Sequence, residues 1–203
     1  MQRASEILYR FRGHILAFFA GALFACPAAP FPQNYSRMVE IGPYLVTIFA
    51  YAIGIMLRIK SRQYIGEHTR GKTHEADKLV TDGPYAYCRH PLYMSNTCIA
   101  LGAIFFHVGV TSFFHIFFLS TLLFEYLLAR AEDRFLEEKF GDTWRAWAKD
   151  TPMYPSNAEI FVDHCKMGTP RRTVFQAFKA DASTWFWFVI VNLIIVLLKI
   201  YTI

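Results

Sequence analysis

The sequence predicts an all-α, polytopic membrane protein of about five transmembrane helices, with a helical hairpin and a polar cap on the cytosolic side. Three observations carry this expectation. Of 203 residues, 54% are hydrophobic and only 18% charged, a balance more apolar than soluble domains use. Four stretches, residues 13–36, 41–57, 90–124 and 182–198, contain no Asp, Glu, Lys or Arg, and each is near or above spanning length. The cations are also one-sided. With a cytosolic N-terminus and alternating spans, 19 of the 21 Lys and Arg fall inside and only Arg37 and Lys199 outside, as the positive-inside rule requires.

The first span is placed near residues 14–29. Pro27, Pro30 and Pro32 crowd its outer end, and the run LFAC at residues 23–26 after three arginines resembles a signal sequence; a retained anchor is expected. The second span covers about residues 41–57. The third charge-free stretch is too long for one crossing: as a single helix it would extend roughly 50 Å against a hydrocarbon thickness of about 30 Å. It is therefore read as a hairpin, spans near 92–108 and 113–129, turning at Gly109, Thr111 and Ser112. The last span covers about residues 183–200. Before it, residues 150–181, with three prolines and the Arg171-Arg172 pair, read as an interfacial stretch.

This composition excludes a disordered tail, a collagen-like rod and a conventional nucleic-acid-binding module. The net charge of +5 follows from topology and from anionic lipid headgroups, so membrane lipids are expected partners and nucleic acid is not. Cys26, Cys88, Cys98 and Cys165 are too widely spaced for a metal knuckle or a disulfide framework.

Two inward-facing polar blocks, residues 58–89 and 130–181, carry more ionisable groups than connecting loops need. The first ends in LVTDGPYAYCRHPLY, residues 79–93. Gly83-Pro84 marks a turn, and Pro91 suits the first position of the third span's helix. Arg89 and His90 then sit beside free backbone N–H groups, either as an anion site or as an anchor at the interface. In the second block the fourth helix runs past the membrane to Gly141 with an apolar stripe of Leu128, Ala131, Phe135 and Leu136. Glu132 and Asp133 are about 100° apart around it, either ligand carboxylates or part of a solvated charged face.

The segment LVTDGPYAYCRHPLY, a helical hairpin, and then RAEDRFLEEKFGDTWRAW at residues 130–147 together resemble the isoprenylcysteine carboxyl methyltransferase family, related to the phospholipid methyltransferases. The resemblance covers about residues 58–155. It implies a methyltransferase core there, after a two-span anchor at 1–57 and before an interfacial segment and final span at 156–203. It further implies a cytosolic catalytic cap that holds S-adenosylmethionine, and a lipid or prenylated substrate, small molecule or peptide, entering from the bilayer. Carried over residue by residue, Tyr85, His90, Pro91 and Tyr93 fall in the cofactor site, Glu132 and Asp133 form the acidic pair, and Arg130 matches an arginine upstream of it. The chain departs from the family pattern in three places: Asp133 replaces a second glutamate, Trp144 and Trp147 stand where tyrosines are usual, and Leu128 stands where an arginine is often found.

Methyl transfer from a sulfonium suits these groups. A carboxylate end fits the helix start with Arg89 or His90, an ammonium fits Glu132 or Asp133, and a sulfonium fits an aromatic face such as Tyr93 or Trp144. If the acceptor is a carboxylate, Arg89, Arg130 or Arg145 neutralises it; if it is an amine, a proton must be accepted, and Glu125, at the inner end of a span, is the candidate. No metal is expected, since His68, His74, His107 and His115 lack ligand spacing. The competing readings are a membrane NADPH-dependent steroid or lipid reductase and a non-catalytic adaptor on the same scaffold.

Overall fold

The computed structural model describes residues 2–32, 38–65, 78–155 and 168–201, and among them every regular element is helical. His68, His74 and Cys165 lie outside the described residues. In chain order the helices are α1 (Gln2–Phe24), α2 (Met38–Tyr64), a 3₁₀ turn (Gly83–Ala86), α3 (Pro91–Val108), α4 (Ser112–Phe140), α5 (Asp142–Asp150), α6 (Val174–Ala180) and α7 (Ala182–Tyr201).

Four of them, α2, α3, α4 and α7, are long and apolar enough to cross a bilayer. Their large apolar side chains face outward, among them Phe49, Ile116, Leu119, Trp187 and Val189, as a lipid-facing surface requires. The expected first span needs correction. Helix α1 stops at Phe24, because the prolines that follow cannot continue it, and its charge-free part, residues 13–24, is about 18 Å long by helical rise. Residues 26–29 then pack against the end of α3: the Ala29 N–H donates to the His107 carbonyl at 2.7 Å, and His107 Nε2 lies 3.1 Å from the Cys26 carbonyl. His107, fully buried, is thus a structural residue. Cys26, Cys88 and Cys98 are free thiols.

The hairpin turns as expected. Gly109 closes α3 with φ of 61°, a left-handed value that costs a non-glycine residue, and α4 starts at Ser112. Gly141, with φ of 53°, ends α4 and leads directly into α5.

The centre of the bundle is the α2–α3 crossing, where small residues let the backbones approach, as in membrane helix pairs generally. A Cβ on Gly54 would lie 3.1 Å from the Ser95 carbonyl and 2.8 Å from Ile99 Cγ1, and Ser95 Oγ donates to the Gly54 carbonyl at 2.8 Å. Gly54→Ala should therefore lower stability by about 1–3 kcal/mol through overpacking, read as a lower melting temperature in detergent; an unchanged transition would show that the helices can part at no cost.

Helix α2 runs past its expected end at residue 57 to Tyr64, which carries Arg58 and Arg62 inward. Asp181, between α6 and α7, accepts from Arg58 Nε at 2.6 Å and pairs with Arg62 at 3.1 Å. Arg58 also donates to Asn96 Oδ1 at 2.5 Å and to Thr184 at 3.0 Å. The backbone N–H groups of Arg171 and Arg172 donate to the Gln63 carbonyl, so this pair docks on the end of α2 as well as presenting charge at the surface.

Candidate functional site

The charged end of the bundle is assembled around the turn before α3. Gly83 has φ of 64°, and a Cβ there would fall 2.5 Å from the Tyr64 ring. Only glycine meets both demands, and Pro84 fixes the next residue, so the turn delivers Tyr85 into a buried cluster with Tyr64 and Ile65, covered by Trp147. Burial pushes the Tyr85 hydroxyl well above its ordinary pKa, and the Glu132 charge adds to this. Cys88, fully buried against Leu57 and Tyr87, is pushed up to about 12 by burial, so it is not a thiolate nucleophile. Pro91 then occupies the first turn of α3.

The turn and the inner end of α4 meet directly. Arg89 forms a two-pronged pair with Asp133, Nε to Oδ1 at 3.2 Å and a terminal nitrogen to Oδ2 at 3.1 Å. Its other terminal nitrogen donates to the carbonyls of Ala148 at 3.1 Å and Thr151 at 2.7 Å, and its backbone N–H donates to Pro152 at 2.9 Å. Arg89 thereby ties α4, α5 and the chain after α5 to the start of α3.

His90 lies between the acidic pair. Its Nε2 is 2.8 Å from Asp133 Oδ1 and its Nδ1 is 4.0 Å from Glu132 Oε2. The second distance is too long for a hydrogen bond. A carboxylate only accepts, so Glu132 turns an acceptor toward this side of the site, where a donor group such as an ammonium would suit it. Tyr93 packs its ring on His90, centroids 5.5 Å apart, and its hydroxyl meets Glu132. Asp133 is 3% exposed, whereas the Glu132 side chain is 36% exposed. The two neighbours in sequence differ in role: Asp133 is sealed by Arg89 and His90, and Glu132 remains open to a ligand.

Glu125 lies two turns deeper on α4, 2% exposed, and accepts from Asn96 Nδ2 at 3.3 Å. Asn96 in turn accepts from Arg58, so a buried polar chain joins Glu125 to Asp181. Arg130 points elsewhere. Two residues before Glu132, it is about 200° round the helix and exposed with Tyr126, Leu127 and Arg134, so it does not meet the other candidates. Arg145 is also exposed and pairs with Glu137 and Asp142.

Sequence reasoning passed over Asn96 and Tyr154. Asn96 was detectable, as the one carboxamide in the third span, one turn after Tyr93. Tyr154 had no motif to mark it; its hydroxyl, within reach of the Glu125 and Asp133 charges, is pushed up to about 12, chiefly by burial. An open apolar recess of about 490 Å³, lined by Phe31, Pro32, Ile41, Tyr44, Leu45 and Phe106, lies at the other end of the bundle. It carries no group suited to the chemistry of Glu132 and His90.

Comparison with known proteins agrees with this assembly. The chain is 30% identical over 148 residues to the cobalt-zinc-cadmium resistance protein CzcN of Cupriavidus metallidurans, covering 72% of this chain and 64% of that protein. It is 28% identical over 111 residues to the nickel-cobalt-cadmium resistance protein NccN of Alcaligenes xylosoxydans, covering 54% and 49%. It is 35% identical over 100 residues to the protein-S-isoprenylcysteine O-methyltransferase of Schizosaccharomyces pombe, covering 46% and 38%. The chain thus spans less than two thirds of the length of each of these relatives. No solved structure matches. Residues 41–143, half of the chain and the part that holds α2, the turn, the hairpin and the acidic pair, match the model of one family, and the chain belongs to that family, the phospholipid methyltransferases.

Proposed function

We propose that the protein is an integral-membrane methyltransferase that uses S-adenosylmethionine at its cytosolic end and acts on a lipophilic acceptor entering from the bilayer. One observation carries the reading: the half-open Glu132 carboxylate lies 4.0 Å from Nδ1 of the buried His90 and meets the Tyr93 hydroxyl, with the ring of Tyr85 close by. That is a site for a cation, and a sulfonium compound with an amino-acid end fits it.

S-adenosylmethionine, when bound, supplies a methyl group activated on a positive sulfur. The chain's own residues do the rest. Glu132 and His90 hold an ammonium. The free N–H groups at the start of α3, fixed by Pro91, suit a carboxylate. Arg89 keeps α5 and residues 151–152 against the turn before α3 and so limits water there. Asp133 orients His90.

Glu125 favours an amine as acceptor. A buried carboxylate at membrane depth repels a carboxylate substrate, but it attracts an ammonium and takes the proton released as an amine is methylated, at Oε1 or Oε2. A carboxylate acceptor is the second reading, favoured by the likeness to the isoprenylcysteine O-methyltransferase.

Thermal unfolding in detergent with S-adenosylhomocysteine or NADPH tests this. At a ligand concentration of 100 times Kd, linkage stabilises by about 2.7 kcal/mol, roughly 5–10 °C for a domain of this size. S-adenosylhomocysteine is expected to produce that shift and NADPH none, and Glu132→Gln should abolish it without lowering the unliganded transition. A shift with NADPH alone would favour the reductase, and none with either would favour the adaptor.

A further inference from the structure

Helix α1 lies outside the family's matched residues 41–143, yet its inner end reaches the level of the site. Leu23 packs with Ile104 and Val108 against Phe114, Phe117 and Phe118, and Phe19 meets Phe124 with ring centroids 6.2 Å apart. Helices α1 and α4 therefore run antiparallel in contact. Tyr9 is ten residues inward of Phe19, and Glu132 is eight inward of Phe124, so at the common helical rise the two stand within about 3 Å of the same level. Arg12, two turns from Phe19, is on the same face of α1 as that ring.

The character of this face changes as it nears the site. Leu23 and Phe19 fill the bundle with apolar side chains, whereas Tyr9 and Arg12 are half-buried and polar. The Arg12 guanidinium lies on the Tyr9 ring, 3.8 Å from its centroid, and donates to the Tyr9 carbonyl at 3.4 Å, which holds the two side chains as one flat unit. Phe11 and Phe18, on other faces of α1, are 45% and 74% exposed and serve the lipid side; Tyr9 is turned in. Electrostatics locate its hydroxyl by a separate route. Burial raises its pKa, the adjoining Arg12 charge opposes this, and the charges of Glu132 on α4 and Arg62 on α2 also reach it. Tyr93, whose hydroxyl meets Glu132, feels Tyr9 as well.

We propose that Tyr9, backed by Arg12, is a positioning residue for Glu132: its ring covers the α1 side of the carboxylate, so that water and salt screen the attraction between Glu132 and a bound cation less. This rests on the proposed function, and it adds to the matched family core a wall from outside it. One side of Glu132 stays open for the ligand, and the α1 side is closed by an aromatic face that cannot neutralise the carboxylate.

Calorimetry on the full chain in detergent, with S-adenosylhomocysteine at about 50 and about 500 mM NaCl, tests this. S-adenosylhomocysteine keeps the ammonium that Glu132 would hold. Tyr9→Ala removes the ring, and Tyr9→Phe retains it. Wild type and Tyr9→Phe are expected to lose about threefold in affinity or less between the two salt concentrations, because a covered ion pair is weakly screened. Tyr9→Ala should start about tenfold weaker and lose roughly another tenfold, as an exposed carboxylate does. In the wild type, amide exchange at residues 9–12 should slow on addition of S-adenosylhomocysteine while that at residues 19–23 stays the same, a readout that needs no variant to fold. Three results would each overturn this inference and leave the proposed function standing: Tyr9→Ala with wild-type salt dependence, Tyr9→Phe as weak as Tyr9→Ala, or exchange at residues 9–12 that the ligand does not alter. No binding of S-adenosylhomocysteine by the wild type overturns both.

Discussion

Asp181→Ala is expected to destabilise the protein by about 3–5 kcal/mol, the largest single-site effect the structure supports. Asp181 has no exposure to solvent and faces Arg58 and Arg62, whose side chains are 9% and 8% exposed. Removal of its carboxylate leaves two guanidiniums close together in a region with little water to solvate them. A buried pair gains little over a well-packed apolar replacement, but breaking it by deleting one partner exposes the full desolvation cost of the other. Here that cost falls on two cations. Against a typical stability of about 5–15 kcal/mol, much of the margin would be lost, and the melting temperature in detergent should fall by about 6–20 °C. A fall of less than about 2 °C would mean that water already reaches this junction. The consequence extends to the site, because Arg58 also fixes Asn96, and Asn96 is the hydrogen-bond donor to Glu125.

That junction also marks where the sequence stopped being legible. The ends of α3 and α4 could be read from local chemistry, since Pro91 starts one helix, Gly109 with positive φ ends it, and Gly141 ends the next. The meeting of the RHPLY segment with the acidic pair followed from the family resemblance. What a residue does with its charge was less accessible. Arg58 is the first charged residue after an apolar run and looked like a loop residue, because its partner Asp181 is 123 positions away. The partners of Arg89, Asp133 and the carbonyls of Ala148 and Thr151, are 44, 59 and 62 positions away, and no local pattern announces them. Helical geometry alone places Arg130 nearly opposite Glu132. The expected outer end of the first span, residue 29, lies five residues beyond the end of α1 at Phe24, because the prolines that crowd this end stop the helix.

The adjacent carboxylates at the end of α4 provide the sharpest contrast, and Asp133→Asn should show it. The substitution keeps the volume and one carbonyl oxygen, but it removes the charge and places an NH₂ group where Arg89 or His90 needs an acceptor. Because Arg89 and Asp133 side chains are 13% and 4% exposed, the loss is that of a buried, two-pronged ion pair, about 3 kcal/mol or more. The effect should reach α5 and residues 151–152, which are held to the turn only while Arg89 is kept in position by Asp133. Faster amide exchange at residues 142–152 is therefore expected together with the lower melting temperature. Glu132→Gln, one residue earlier, should change neither, because Glu132 is not enclosed by the fold. Were Asp133→Asn to unfold like the wild type and Glu132→Gln to loosen α5, the assignments of structural and ligand-binding carboxylate would have to be exchanged, and the cation site would move from the open side of His90 to the Asp133 side.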